Sequence, residues 1–533
     1  MDIPVNARQS VANDSGTAMA ARPGEQAEIE LKLLVPQGIL ETLRDIPVIV
    51  QHARNRGAFR RLETVYYDTP EQLLFRHGMS LRVRRSGKHF LQTLKLLPAT
   101  GQPLTRRQWE APVDGVTPDL SRLPAAEIGD PLTTLTDDAL VPVFATKFRR
   151  HARQLDLPEA SVEIAFDEGT IEAGARQEAL SEIELELKSV NAGALFDLGT
   201  QLLDAAPLRF GTRSKAERGF ALAFNVAPPA AKAELFGIDA EHVVDDVIAR
   251  LVGSCWHHLL KNHAVAEKGS NPEAVYQMRL ALRRLRTICA LFRRDIPSPA
   301  FQAVNGEARW LMQQLGPARD WDAFVETTVT RLAIAAPDVG LDGLREAVER
   351  QRKSCYAALQ TGLVDPRCSR FLLSLGHLVE RRGWRNEIDS EALAVLSQPI
   401  PKLADKILTR LHRKALRRGA HFRQLDASTQ HELRIDLKKL HYAAELFAPL
   451  YAVQAPAKRY LSRLTRLKAS LGRVRDIAST RILLDAIGQD GQPALQLAIG
   501  AVAGWQARDR IALAKTVRRR WRRFKATPAF WSR

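Results

Sequence analysis

Glu28-Ile29-Glu30-Leu31-Lys32 decides how the first half of the chain is read. Side chains on a strand alternate between its faces, so Glu28, Glu30 and Lys32 project to one side, while Ile29, Leu31 and Leu33 project to the other. Two carboxylates and an ammonium thus share one face of a strand whose other face is apolar. The pattern returns about 150 residues later as Glu182-Ile183-Glu184-Leu185-Glu186-Leu187-Lys188. A surface strand scatters its charges; these two strands concentrate them.

Working outward, 533 residues exceed what one hydrophobic core organises, so about two to four domains are expected. An apolar share of 45% and a charged share of 26% fit a soluble globular protein. No apolar run approaches the length of a membrane span. Residues 1–25 are polar and read as a disordered leader without a signal peptide. Cys255, Cys289, Cys355 and Cys368 show no CxxC spacing and read as buried thiols in a reducing cytoplasm. The net charge of +18 is unevenly placed: residues 1–225 carry −3 and residues 226–533 carry +21. The basic half points to a polyanionic partner, whether nucleic acid, acidic membrane or polyphosphate.

Between the two acidic ladders lie short β-rich runs separated by turns. A helix is expected over residues 36–44. Strands are expected near Arg60–Tyr67, Ser80–Arg85, Phe90–Leu96, Arg107–Glu110, Phe144–Leu155, Ser161–Glu168, Ile171–Ala173 and Ala179–Val190. A helix follows at Phe196–Leu203, then a loop at Gly211–Lys215. Such a meander suggests a closed or strongly curved antiparallel sheet. Inward positions would carry Glu28, Glu30, Glu163, Asp167, Glu182, Glu184 and Glu186, and also Lys32, Arg82, Arg84, Lys95, Arg107, Arg149 and Arg153. One strand of this kind is ordinarily a solvated face; five with the same habit call for counter-ions. Mg²⁺ suits the carboxylates and phosphate suits the Arg and Lys set, which together describe metal-assisted phosphoryl transfer.

The ordered motifs Glu28-x-Glu30-x-Lys32, Tyr67-Asp68-Thr69-Pro70, Leu81-Arg82-Val83-Arg84, Gln92-Thr93-Leu94-Lys95, Ser181 to Lys188 and Ser214-Lys215-Ala216-Glu217-Arg218-Gly219 resemble the CYTH family of triphosphate tunnel metalloenzymes. The resemblance spans about residues 28–224. It implies an eight-stranded antiparallel tunnel that hydrolyses inorganic triphosphate or another triphosphate. By position it implies Glu28, Glu30, Glu182, Glu184 and Glu186 as ligands of Mg²⁺ or Mn²⁺. It also implies Lys32, Arg82, Arg84, Lys95, Arg107 and Lys215 as phosphate contacts, with Glu28, Glu30 and Lys32 at the catalytic centre.

Residues 226–238, rich in Pro and Ala, read as a linker, and from Asp239 the pattern is helical throughout. Tyr276 to Arg286 aligns with His431 to His441, and Leu315 to Asp320 with Leu471 to Asp476, so a helical unit is duplicated over about 239–390 and 391–525. Basic residues recur on one helix face in each copy: Arg279, Arg283 and Arg286, then Arg434, Lys438 and His441. Two such stripes favour a shared anion-binding surface. This half resembles the CHAD family over about residues 239–521, including a Gly-x-x-Arg-Asp turn in each copy. That resemblance implies binding of inorganic polyphosphate, with Arg279, Arg283, Arg286, Arg434, Lys438 and His431 on its surface. Tyr276 stands where the family's first copy carries its signature histidine, which favours binding over histidine chemistry. His257, His258 and His263 read as helix residues. The basic end, Arg518 to Lys525, reads as a solvated helix terminus that extends the anion surface.

The fold expected is therefore a multidomain α+β chain, a β tunnel followed by a duplicated all-α bundle. The expected activity is metal-dependent cleavage of inorganic triphosphate by a cytoplasmic enzyme associated with polyphosphate granules. A non-catalytic polyphosphate binder is the rival reading, as is an enzyme for thiamine triphosphate or a nucleotide. No nucleic-acid motif accompanies the positive charge.

Overall fold

The computed structural model describes residues 25–96, 104–189, 191–226, 229–234, 237–269, 271–451, 454–488 and 492–531. The expected leader up to residue 24 and the hairpin at 101–103 lie outside the described residues.

Eight strands form the first unit: β1 (Glu25–Leu34), β2 (Ala58–Asp68), β3 (Met79–Ser86), β4 (His89–Leu96), β5 (Thr105–Val113), β6 (Val141–Leu157), β7 (Ala160–Ala173) and β8 (Arg176–Leu187). They follow the order β5-β4-β3-β2-β6-β7-β8-β1, and β1 also pairs with β5, so the sheet closes into an antiparallel barrel. β1 is the seam. Its residues 25–29 pair with β5 and its residues 30–34 with β8. A two-residue strand, β9 (Arg209–Phe210), adds to β1 at Leu33 and Leu34.

The two strands expected at Ser161–Glu168 and Ile171–Ala173 are one strand, β7. Gly169, which reads as a break, instead marks close packing: a Cβ there would lie 2.1 Å from the Lys147 carbonyl oxygen and 2.5 Å from Phe148 Cα. The helix expected over 36–44 is shorter, α1 (Leu40–Arg44), and a second short helix, α2 (Pro47–His52), follows it with Pro47 in its first turn. Two more short helices, α3 (Leu73–Arg76) and α4 (Ala125–Ile128), lie in connections. Asp68 of the Tyr67-to-Pro70 motif is fully buried and accepts hydrogen bonds from the amides of Thr69, Leu74 and Phe75, so it folds the turn into α3. Helix α5 (Gly193–Ala205) covers the outer face of β1 and β8. Helix α6 (Lys215–Phe224) begins on a capping box between Ser214 and Glu217 and packs Phe220 against Phe144 across one end of the barrel.

Eleven helices follow among the described residues. They are α7 (Val244–Glu267), α8 (Pro272–Phe292), α9 (Pro299–Phe324), α10 (Thr330–Ala335), α11 (Asp342–Val364), α12 (Pro366–Glu380), α13 (Ser390–Leu396), α14 (Ile400–Arg418), α15 (Ala427–Phe447), α16 (Gln454–Ile487) and α17 (Pro493–Lys525). Asn271, Ser298, Asp365, Asp389 and Asp426 cap helix starts by accepting from the backbone amides of Glu273, Ala300, Arg367, Ala392 and Thr429. The expected Gly-x-x-Arg-Asp turns are not turns. Gly316–Asp320 lies inside α9 and Gly472–Asp476 inside α16. Glycine next to proline reads as a break, yet α9 continues through Pro317.

The linker docks on α7 at Ala231. Asn262 of α7 accepts from the Ala231 amide at 3.0 Å and donates to the Ala231 carbonyl at 2.9 Å. One apolar core then runs through both halves, from Leu31, Leu33 and Phe196 to Trp256 and Leu375. A second core, built on Trp321, Phe324, Leu484 and Val502, sits at the far tip where the two helical repeats meet again. Among the described residues no helix is long and apolar enough to cross a membrane.

Candidate active site and anion surface

Alternation in eight strands turns one set of polar side chains into the barrel, around a cavity of 1110 Å³. Its lining includes Glu28, Glu30, Lys32, Arg82, Arg84, Lys95, Arg106, Arg150, Glu184, Glu186 and Lys215. The two walls differ. On the β1, β7 and β8 side, carboxylate oxygens of Asp167, Glu182 and Glu184 lie within 4.8 Å of one another. Three basic residues hold them together. Lys32 Nζ donates to Glu182 at 2.9 Å and Glu184 at 2.5 Å, and lies 3.1 Å from Glu30. Lys215 Nζ donates to Asp167, Glu182 and Glu184 at 2.7, 2.6 and 2.7 Å. Arg150 grips Asp167 with two nitrogens at 2.7 and 2.6 Å and also reaches Glu184. Arg218 supports the fully buried Glu182 from outside, at 3.0 Å.

Burial alone would raise the Glu184 carboxyl, but Lys215, Lys32 and Arg150 outweigh it and hold the group well below the usual carboxylate range. Burial likewise opposes the charge on Lys32, and Glu182, Glu184 and Glu30 more than reverse it. Glu184 is therefore ionised at pH 7, with its charge balanced by the bases around it.

The opposite wall is only partly neutralised: burial opposes the Arg82 charge but Tyr66, Glu28 and Glu110 more than offset it, whereas Arg84 and Lys95 are held down. Burial, reinforced by Arg82 and Arg150, pushes the Arg84 guanidinium down to about 9. Burial and Arg82 also lower Lys95, although Glu28 bonds to it. The buried Arg82 Nε has no hydrogen-bond partner. Cations crowded against one another, with an unused donor on Arg82, form a preformed seat for a polyanion.

The structure brings Glu28, Glu30, Lys32, Arg82, Arg84, Lys95, Glu182, Glu184 and Lys215 to this cavity or its floor. Glu186 lines it too, but pairs with Lys188 at 2.5 Å away from the carboxylate trio. Burial raises its carboxyl. Arg107 does not point in. It is exposed on the outer face, stacked 5.0 Å from the Trp109 ring, and Arg106 takes the inward place with a hydrogen bond to Glu30 at 3.1 Å. Arg149 likewise lies outside, over Phe59, and Arg150 takes its place. Arg153 bonds to the Arg44 carbonyl at the rim. Both substitutions are shifts of one residue, which on a strand exchange the faces.

In the helical half, α8 packs beside α15, so Arg279 and Arg283 of one repeat approach Arg434, Lys438 and Arg475 of the other. Burial, together with Arg434, Arg283 and Arg475, pushes the Lys438 ammonium down to about 7. Arg434 is only 6% exposed, and its Nε has no hydrogen-bond partner. Arg279 is fixed by the Gly316 carbonyl at 2.9 Å, inside the helix read as a turn. His431 is exposed beside Arg434 and Arg475. Tyr276, the corresponding residue of the first repeat, stacks 4.8 Å from Arg319, the residue that corresponds to Arg475. Arg286 leaves the stripe and donates to Asn305 at 3.0 Å. His441 is buried and bonds to Thr465 at 2.7 Å. Arg475 was visible only as part of the repeat alignment; it joins the cluster because α16, packed against α15, brings it near Arg279, Arg434 and Lys438.

Comparison with known proteins agrees with this division. The CYTH domain model matches residues 26–220, and the CHAD domain model matches residues 250–485. An inorganic triphosphatase of Haemophilus influenzae is 34% identical over 200 residues, which are 37% of this chain and 54% of that protein, so the match spans about half the relative's length. An uncharacterised protein of Mycobacterium tuberculosis is 25% identical over 386 residues, covering 67% of this chain and 70% of its own. The crystal structure of the CHAD domain from the plant Ricinus communis aligns with a TM-score of 0.48 and 28% identity, covering 56% of this chain and 98% of that one. The chain is built of a CYTH domain followed by a CHAD domain.

Proposed function

We propose that the barrel hydrolyses inorganic triphosphate to pyrophosphate and phosphate in a metal-dependent reaction, and that the helical domain binds inorganic polyphosphate. The single observation that carries the first part is the pairing of two unlike walls in one cavity. Arg82, Arg84 and Lys95 line one side of the cavity, with an unused donor on Arg82, and Glu184 lines the other with Asp167 and Glu182 gathered around it. The named activity of the Haemophilus relative supports the same reading.

Hard carboxylate oxygens set this close suit Mg²⁺ or Mn²⁺, with Glu28, Glu30, Glu182, Glu184 and Asp167 as the holders. Bound there, the ion would offset the charge of the phosphate chain and supply an acidified water. The chain's own residues orient the substrate. The Arg and Lys wall aligns the phosphates, and Arg106 and Lys32 fix Glu30. Water oxygen forms the new bond to the terminal phosphorus as its bond to the bridging oxygen breaks. The electron pair leaves with pyrophosphate, and the water proton passes to solvent or a wall carboxylate. No covalent nucleophile is needed.

The polyphosphate part rests on the convergence of Arg283, Arg434, Lys438 and Arg475 from both repeats. The reading places the protein in the cytoplasm with polyphosphate granules. A pure binding protein would gain nothing from a wall of carboxylates.

The test is phosphate release from triphosphate with Mg²⁺, comparing wild type with the double variant Glu28→Ala, Glu30→Ala. Metal-dependent release that the variant loses is the expected result. A folded wild type that binds long-chain polyphosphate but releases nothing would leave a binding protein. Faster release from ATP or thiamine triphosphate would change the substrate and keep the enzyme.

A further inference from the structure

Ser369 belongs to α12 of the helical domain and is 1% exposed. Its Oγ accepts a hydrogen bond from the Phe210 amide of β9 at 3.0 Å. Phe210 is itself 3% exposed, so this hydroxyl satisfies a donor that water does not reach. The next residue, Gly211, donates its amide to the Lys32 carbonyl at 2.8 Å. A Cβ on Gly211 would lie 2.7 Å from Lys32 Cγ, so bare backbone presses directly on the Lys32 side chain. Four residues on, Lys215 opens α6 and reaches Asp167, Glu182 and Glu184. The two lysines that gather the carboxylates therefore flank one short segment, residues 209–215. Its outer edge is pinned by the other domain, and Arg209 adds a pair with Glu267 of α7.

We propose that Ser369 is a positioning residue of the barrel site: by holding the Phe210 amide it fixes segment 209–215 and, through it, the placing of Lys32 and Lys215 on the carboxylate trio. The helical domain thereby completes a site to which it contributes no lining residue. The rate consequence rests on the proposed triphosphatase reading; the structural consequence does not.

Hydrogen–deuterium exchange and triphosphate hydrolysis are measured on full-length wild type, Ser369→Ala, Ser369→Thr and Arg370→Ala. Arg370 is the neighbouring interface residue, paired with Asp204 at the exposed rim. In Ser369→Ala, amides of residues 209–215 exchange roughly tenfold faster, as expected for the loss of one buried hydrogen bond, while β6 and β7 keep wild-type protection. The kcat falls roughly fivefold or more for the same reason. Ser369→Thr restores both quantities, and Arg370→Ala changes neither. Gly211→Ala disturbs the same segment from the barrel side and shows the same local exchange if Ser369→Ala fails to fold. Unchanged exchange over 209–215 in Ser369→Ala overturns the proposal whatever the rate does. A wild type that hydrolyses no triphosphate overturns the functional reading instead, and the exchange result still decides the positioning role.

Discussion

Arg84 shows how a single residue can be held at a loss to folding. Its guanidinium is pushed down to about 9 by burial and by Arg82 and Arg150, so the folded state disfavours its charge. A partner of opposite sign relieves that cost, and the Arg82 and Arg150 beside it make the partner a polyanion. Arg84→Met is therefore expected to leave the melting temperature unchanged or higher, while KM for triphosphate rises roughly tenfold, the scale of one lost charged hydrogen bond. A fall in stability with unchanged KM would place Arg84 among structural residues. Lys438 behaves alike in the helical domain. It is pushed down to about 7, below its ordinary value, so between pH 7 and its ordinary range the folded protein holds fewer protons than the unfolded chain, and its repulsion weakens as pH rises through 7. A bound polyphosphate favours the charged form, so binding should take up a proton near pH 7.5 and weaken as pH rises from 6 to 8, an interval taken as roughly one unit either side of that value. Calorimetry in two buffers of different ionisation enthalpy measures the uptake, and Lys438→Met should abolish it.

At the scale of elements, α6 and the end of the barrel it covers depend on near approach. A Cβ at Gly219 would lie 2.0 Å from the Phe144 ring, and the rigid ring has Tyr66 stacked on its other face at 4.3 Å. Gly219→Ala should destabilise the protein by about 1–3 kcal/mol, the cost of overpacking, as measured by urea unfolding. Ser214→Ala removes the capping box that starts α6 beside Lys215 and should cost about 1 kcal/mol. It should also lower kcat, because Lys215 follows directly. The acidic ladders and the basic stripes, by contrast, were legible from their spacing, since strand and helix periods are local properties.

At the scale of the whole molecule, the barrel and the helices share one core, and ion pairs such as Arg381 with Asp197 at 2.9 Å cross between them. Helix α12 is close enough to α5 that a Cβ at Gly376 would lie 2.1 Å from the Phe196 ring. Scanning calorimetry of the full chain should accordingly give one cooperative transition. Two resolved transitions would show that the shared core couples the domains only weakly.

What the sequence determined by itself was the alternation of charge and apolar residues in β1 and β8, the helical repeat, the placing of positive charge in the second half, and the inward place of such residues as Glu28, Glu30, Lys32, Arg82 and Arg84. These follow from periods of two and 3.6 residues, which a chain displays without being folded. Tertiary structure alone decided which member of Arg106-Arg107 and of Arg149-Arg150 points inward, because adjacent arginines satisfy either phase of a strand and only pairing with β1 and β7 selects one. It also decided that Asp167 joins Glu182 and Glu184, that Arg475 meets Arg283 and Lys438, and that Ser369 reaches Phe210. Those contacts join residues far apart in the chain, and their distances are set by packing, which no local pattern encodes.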